Sequence, residues 1–144
     1  MILPDANVLL YAYHPASAEH SRCKDWLEEA LSAPQPVRFA WLTLWAFLRI
    51  STNPNVFEHP LTMDEAIAIV TSWLDRPNVE LVDPGERHWE ILQDLVKEAQ
   101  CTGPLVTDAA LAAVGIEHGA TVYTTDRDFS RFPSLRCVNP LREE

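Results

Sequence analysis

Four aspartates stand where a folded chain can bring carboxylates together. Asp5 follows the short apolar run Ile2-Leu3, Asp108 lies near the start of LVTDAALAA, and Asp126 and Asp128 follow the stretch ATVYTT. Carboxylates that converge repel one another, so one takes up a proton unless a cation neutralises the group. The cation suited to such oxygen ligands is a hard divalent ion. Mg²⁺ or Mn²⁺ typically binds a few carboxylates and keeps waters beside them. An ion so held activates water and stabilises charge on a phosphoryl group, which is how metal-dependent nucleases work. This chemistry requires a fold that delivers all three sites to one place.

The flanking elements are readable in order. Ile2-Leu3 is a short strand ending at Asp5, and Val8–Tyr13 is helical, with Asp5 or Asn7 near its cap. A second helix runs from Ser17 or Ala18 to Leu31, and Val37–Ala40 alternates as a strand. Leu42–Ser51 returns to helix and is apolar nearly all round, which predicts burial in the core or between subunits. Trp41 and Trp45 then read as core or dimer-interface residues rather than base-stacking platforms. Thr62 caps a helix through Leu74, with Glu65 in the capping-box position. Val79–Val82 is a strand, Glu86–Ala99 a helix, and Thr107 a plausible N-cap for a helix to His118, with Gly119 at its C′ position. Ala120–Tyr123 and Leu135–Val138 are the last strands.

Strands alternating with helices predict a three-layer α/β domain, with a mainly parallel central sheet of four to five strands flanked by helices. The whole of residues 1–144 reads as a single domain. Loops of such a sheet open at the carboxyl edge of its strands. If the strands lie centrally, Asp5 and Asp126 share that edge, and the helix carrying Asp108 brings its carboxylate beside them.

Composition narrows the function. The hydrophobic content is 47% and the formal net charge −10, which supports a packed core and argues against a broad electrostatic grip on nucleic acid. Cys23, Cys101 and Cys137 show no metal spacing, and their odd number suggests reduced thiols in a cytosol. No apolar run is long enough to span a membrane, and the acidic opening is no signal peptide, so the expected location is cytoplasmic. The five histidines show no metal spacing either, and none is assigned to catalysis.

Taken together, these segments resemble the PIN-domain family, and within it the VapC-like ribonuclease toxins of type II toxin–antitoxin pairs. The segment from Ile2 to Ala12 is similar to the family's opening strand, Asp-x-Asn and helix. Thr107–Ala113 resembles its third acidic motif, and Thr124–Phe129 its closing Thr-x-Asp-x-Asp-Phe. Phe47–Pro54 resembles a middle segment common in VapC-like proteins. The resemblance implies a Mg²⁺-dependent endoribonuclease that cuts structured RNA such as transfer or ribosomal RNA. It also implies a homodimer, or a dimer within a toxin–antitoxin hetero-oligomer, held inactive by a cognate VapB-like antitoxin. Asp5, Asp108 and Asp126 would be the metal-holding catalytic residues, Asp128 an assisting ligand, and Asn7, Arg49 and Thr125 supports acting through hydrogen bonds, waters or substrate. Arg22, Lys24, Arg38, Arg49, Arg127 and Arg131 are candidates for gripping RNA.

One position departs from the family pattern. Where many members carry a glutamate just before the Phe-Leu-Arg stretch, this chain has Ala46, and no carboxylate occurs between Glu29 and Glu58. The site therefore has fewer acidic ligands. This keeps a rival reading in view, a degenerate PIN domain that binds an antitoxin or RNA without cutting. A phosphoacceptor domain using Asp5 as nucleophile ranks lower, because Ala6 and Asn7 follow Asp5 and the only lysines are Lys24 and Lys97.

Overall fold

The computed structural model describes residues 1–142. Five strands form one sheet: β1 (Ile2–Pro4), β2 (Val37–Ala40), β3 (Val79–Val82), β4 (Thr121–Tyr123) and β5 (Arg136–Val138). Their spatial order is β3-β2-β1-β4-β5 and every neighbouring pair is parallel. The helices are α1 (Ala6–Ala12), α2 (His20–Ser32), α3 (Trp41–Ser51), α4 (Met63–Leu74), α5 (His88–Glu98) and α6 (Leu105–His118), followed by a 3₁₀ turn at Arg127–Arg131. Among the described residues no helix is long and apolar enough to cross a membrane.

The strand residues alternate between two cores, which produces the three layers. Ile2, Val37, Phe39 and Val79 face a core completed by α1 to α4, with Leu9, Leu27, Phe47 and Trp73 buried in it. Leu3, Ala40, Val82 and Val122 face the opposite core, completed by α5, α6 and the 3₁₀ turn through Ile91, Leu111, Val114 and Phe129. In the first core the Trp73 ring stacks on Phe39 and its Nε1 donates to the Tyr13 hydroxyl at 3.1 Å. A buried indole N–H thereby keeps a partner.

Two features of this topology position the acidic residues. First, the chain winds outward from β1 through β2 to β3, then crosses back to β4 on the other side of β1. The gap between β1 and β4 is thus a topological switch point, where open parallel sheets leave a crevice at the carboxyl ends of their strands. Pro4 pairs with Tyr123 in register, and the Asp5 N–H donates to the Tyr123 carbonyl at 2.9 Å, so both chains leave the sheet side by side. Second, α6 packs closely on the sheet. Ala109, Ala112 and Ala113 are fully buried, and a Cβ on Gly115 would meet Leu135 Cδ1 at 3.1 Å and Val122 Cγ2 at 3.2 Å. Because α6 feeds directly into β4, its N-terminal turn, with Asp108, lies at the same carboxyl edge.

Several boundaries differ from the sequence expectation. The helix α6 begins at Leu105 with Pro104 as the residue before it, so Thr107 is not its N-cap. Proline supplies a preset φ at a helix start and needs no N–H there. The helix α1 begins at Ala6, directly after Asp5, and α2 begins only at His20, after a turn-rich stretch from residue 13. The α3 helix is not enclosed: Thr43, Leu44, Phe47 and Ser51 are buried, but Trp41 and Trp45 are 40% and 63% exposed. The expected burial of this helix in the core therefore does not extend to Trp41 and Trp45.

Gly119 ends α6 with φ of 65°, in the left-handed region, and a Cβ there would touch nothing within 4 Å. Gly119→Ala should therefore cost only the left-handed strain, about 1–2 kcal/mol in urea unfolding. Gly119→Asn should cost less, since asparagine tolerates that conformation. Equal stability of all three proteins would contradict this reading of the cap.

Candidate metal centre

Asp5 is the residue at which β1 becomes α1. Its backbone is extended, and its Oδ1 accepts from the Ala6 N–H at 2.8 Å. Its Oδ2 accepts from the Thr124 hydroxyl at 2.8 Å, across the switch point. Thr124 is only 2% exposed and is the hub of this crevice. Its hydroxyl oxygen also accepts from Asn7 Nδ2 at 3.2 Å and from the Asp126 N–H at 3.0 Å. Asn7 Oδ1 accepts from the Thr125 N–H at 3.4 Å. One hydroxyl thus ties the exit of β1 to the exit of β4.

The β4 exit then turns into the 3₁₀ segment because Asp126 caps it, its Oδ1 accepting from the Asp128 N–H at 2.9 Å. This turn aims both carboxylates toward Asp108. One carboxylate oxygen from each of Asp108, Asp126 and Asp128 lies within 4.8 Å of the others, and all three residues are half-buried. The donor set is oxygen only and anionic, which fits a hard divalent cation.

The electrostatics follow from this crowding. The Asp108 carboxyl is pushed up to about 6, first by burial and then by the charges of Asp126, Asp5 and Asp128. Asp5 is also held above the usual carboxylate range, mainly by burial and further by Asp126, against the hydrogen bonds from Thr124 and Ala6. Without a cation, Asp108 keeps its proton up to about pH 6, well above the usual carboxylate range.

The structure sorts the expected site residues. Asp108, Asp126 and Asp128 converge. Asp5 stands apart from that triplet, engaged by Thr124 and Ala6, although its charge reaches Asp108 and Asp126. Asn7 and the Thr125 backbone belong to the same hydrogen-bond network. Arg49 is exposed in the last turn of α3 and makes no ion pair among the described residues. Ala46 lies on the same helix, whose only charged residue is Arg49, so α3 brings no carboxylate to the edge. Thr124 is the residue that sequence reasoning passed over in favour of Thr125. The structure buries Thr124 and leaves Thr125 half-buried, with only the Thr125 backbone in the network.

Residues 2–135 match the family described as PIN domain. The chain belongs to the PIN-domain family, among its VapC-like members. Ribonuclease VapC33 of Mycobacterium tuberculosis is 39% identical over 143 residues, spanning 99% of this chain and 100% of that protein. Ribonuclease VapC37 of the same organism is 41% identical over 140 residues, 97% of each chain. Among solved structures, VapBC2 from Rickettsia felis, bound to a DNA fragment from its promoter, superposes with a TM-score of 0.70 at 19% identity, covering 96% of this chain and 98% of that one. Mycobacterium tuberculosis VapC20, described as a sarcin-ricin loop cleaving toxin, superposes at 0.66 with 20% identity, covering 90% and 93%. The four aspartates of this PIN domain thus sit in a family fold whose parallel sheet and switch point are those described above.

The raised carboxyls fix a sign for pH dependence. A group whose folded pKa lies above its unfolded value binds its proton more tightly in the folded state, so stability falls as pH rises between the two. In EDTA, the metal-free PIN domain should lose stability between about pH 4 and pH 6 through Asp108. Asp108→Asn should melt higher than the parent above pH 6, with the difference shrinking toward pH 4. A difference that does not change with pH would contradict the crowding of these carboxyls.

Proposed function

We propose that this PIN domain is a Mg²⁺-dependent endoribonuclease toxin that hydrolyses phosphodiester bonds in structured RNA, transfer or ribosomal, and is restrained by a VapB-like antitoxin. The observation that carries the reading is the convergence of Asp108, Asp126 and Asp128 at the switch point, beside Asp5. The names of the relatives, ribonucleases of the VapC type, support the reaction class. The VapBC complexes among the structural neighbours support a VapB-like partner in a hetero-oligomer. The exposed Trp41 and Trp45 are in keeping with a homodimer.

Asp108, Asp126 and Asp128 would hold the ion. When bound, Mg²⁺ supplies charge neutralisation at the phosphoryl oxygens and lowers the pKa of water. The work of the protein is positional. Thr124 fixes Asp5 and the Asp126 backbone in one crevice, and Asn7 buttresses Thr124 and Thr125. Asp5, when ionised, adds a negative charge that increases the demand for a cation. Water would attack phosphorus in line, forming a new P–O bond as the bond to the leaving oxygen breaks; the proton that water loses ends on the leaving oxygen, and no side chain enters as nucleophile.

A second reading has a specific observation in its favour. With Ala46 in place of the usual glutamate, α3 brings no ligand, and a domain that binds RNA or antitoxin without cutting follows if three aspartates do not suffice.

Purified protein incubated with total cellular RNA should give discrete fragments in Mg²⁺ or Mn²⁺ and none in EDTA. Asp126→Asn should lower the rate by about 100-fold or more, a loss of about 3 kcal/mol of transition-state stabilisation. Thr124→Val should cost about 10–100-fold through misplaced carboxylates, and Thr124→Ser should restore most of it. Folded parent protein that cuts nothing in either metal would leave the binding-only reading.

A further inference from the structure

An open cleft of about 600 Å³ adjoins the carboxylates on the β5 side. That volume lies within the about 300–1,000 Å³ typical of sites for small organic groups. Asp126 and Thr125 form one end, so the cleft is continuous with the metal centre. Its apolar lining comes from Phe129, Phe132 and Leu135, each buried in the core behind it. Arg127 on one wall and Asn139 and Arg142 on the other supply polar groups. Asn139 Oδ1 accepts from the Leu141 N–H at 2.9 Å, which orients the amide.

The cleft is less acidic than the chain: Arg127 and Arg142 line it against Asp126 alone, and Arg131 lies beside it, 3.9 Å from Asp128. The chain as a whole has a net charge of −10. A cleft with an apolar floor, an oriented amide and flanking guanidinium groups, opening beside a cation site, has the composition that recognises a nucleotide.

We propose that this cleft seats the base of an unpaired RNA nucleotide next to the scissile phosphate, with Asn139 reading the base edge and Arg127 and Arg142 holding adjacent phosphates. The proposal rests on the nuclease reading above and adds a specificity determinant to it. The arginines suit phosphate because a planar guanidinium donates two parallel hydrogen bonds. Asn139 acts on the base through its Nδ2 donor, since its Oδ1 is already held by the Leu141 N–H.

Cys137 provides an independent probe. It is exposed on β5 and lines the cleft, whereas Cys23 is buried and Cys101 half-buried. Alkylation of Cys137 by N-ethylmaleimide, followed peptide by peptide, should slow in the presence of short mixed-sequence single-stranded RNA with Mg²⁺. The protection should be lost in the Arg127→Ala/Arg142→Ala double variant. In the cleavage assay, Asn139→Ala should alter the bases found beside the cut sites, and Arg142→Ala should raise KM about tenfold with kcat little changed. The Mn²⁺-induced rise in melting temperature should stay as in the parent. Protection without any cleavage would support the cleft while the nuclease reading fails. Cleavage with unchanged cut sites and KM in both variants, or equal alkylation rates with and without RNA, would overturn the cleft.

Discussion

Like charges forced into one crevice are the constraint on which the rest of this structure depends. Asp108 is raised to about 6 because Asp126, Asp5 and Asp128 surround it in half-buried space. A protein has no reason of stability to keep such an arrangement, since the mutual repulsion opposes folding. The fold holds it by backbone means. The parallel pairing of β1 with β4 sets two chain exits side by side, a hydroxyl bolts them together, and an alanine-rich helix lies close enough to the sheet to add the third group. A cation bound there would relieve this repulsion, which would make metal binding and stability two sides of one interaction.

Much of this was legible before any coordinates. The strand-helix alternation fixes a parallel sheet, and carboxylates directly after Leu3-Pro4 and after Thr124-Thr125 belong at its carboxyl edge. The position of Asp108 was legible for the same reason, because Gly119 ends one helix immediately before a strand. Less legible was which aspartates converge. Asp5 and Asp128 have the same local chemistry, yet Asp5 spends both oxygens on Ala6 and Thr124, whereas Asp128 is delivered toward Asp108 by a 3₁₀ turn. That turn depends on a side chain accepting from a backbone N–H two residues on, a contact with no periodic signal in sequence. The start of α6 was misplaced because Thr107 has the residue type of a cap, while Pro104 does the work of starting the helix three residues earlier.

The acidic balance of the chain and a nucleic-acid substrate are compatible once charge is considered locally. A cation at the acidic cluster would remove repulsion where a phosphodiester approaches, and Arg127 and Arg142 line the cleft beside it. The rest of the surface then keeps other polyanions away, so affinity comes from the site and not from the general field. Ala46 sets the opposite pressure. With α3 contributing no carboxylate, an ion would be held from one side of the crevice, by α6 and the β4 exit.

The most direct test is calorimetric titration of the metal-free protein with Mn²⁺ at pH 6, repeated in buffers of different ionisation enthalpy. A carboxyl that titrates near pH 6 must give up its proton when the ion binds. The account predicts saturable binding with proton release, and loss of that release in Asp108→Asn. Absence of binding, or binding that releases no proton and is indifferent to Asp108, would contradict it.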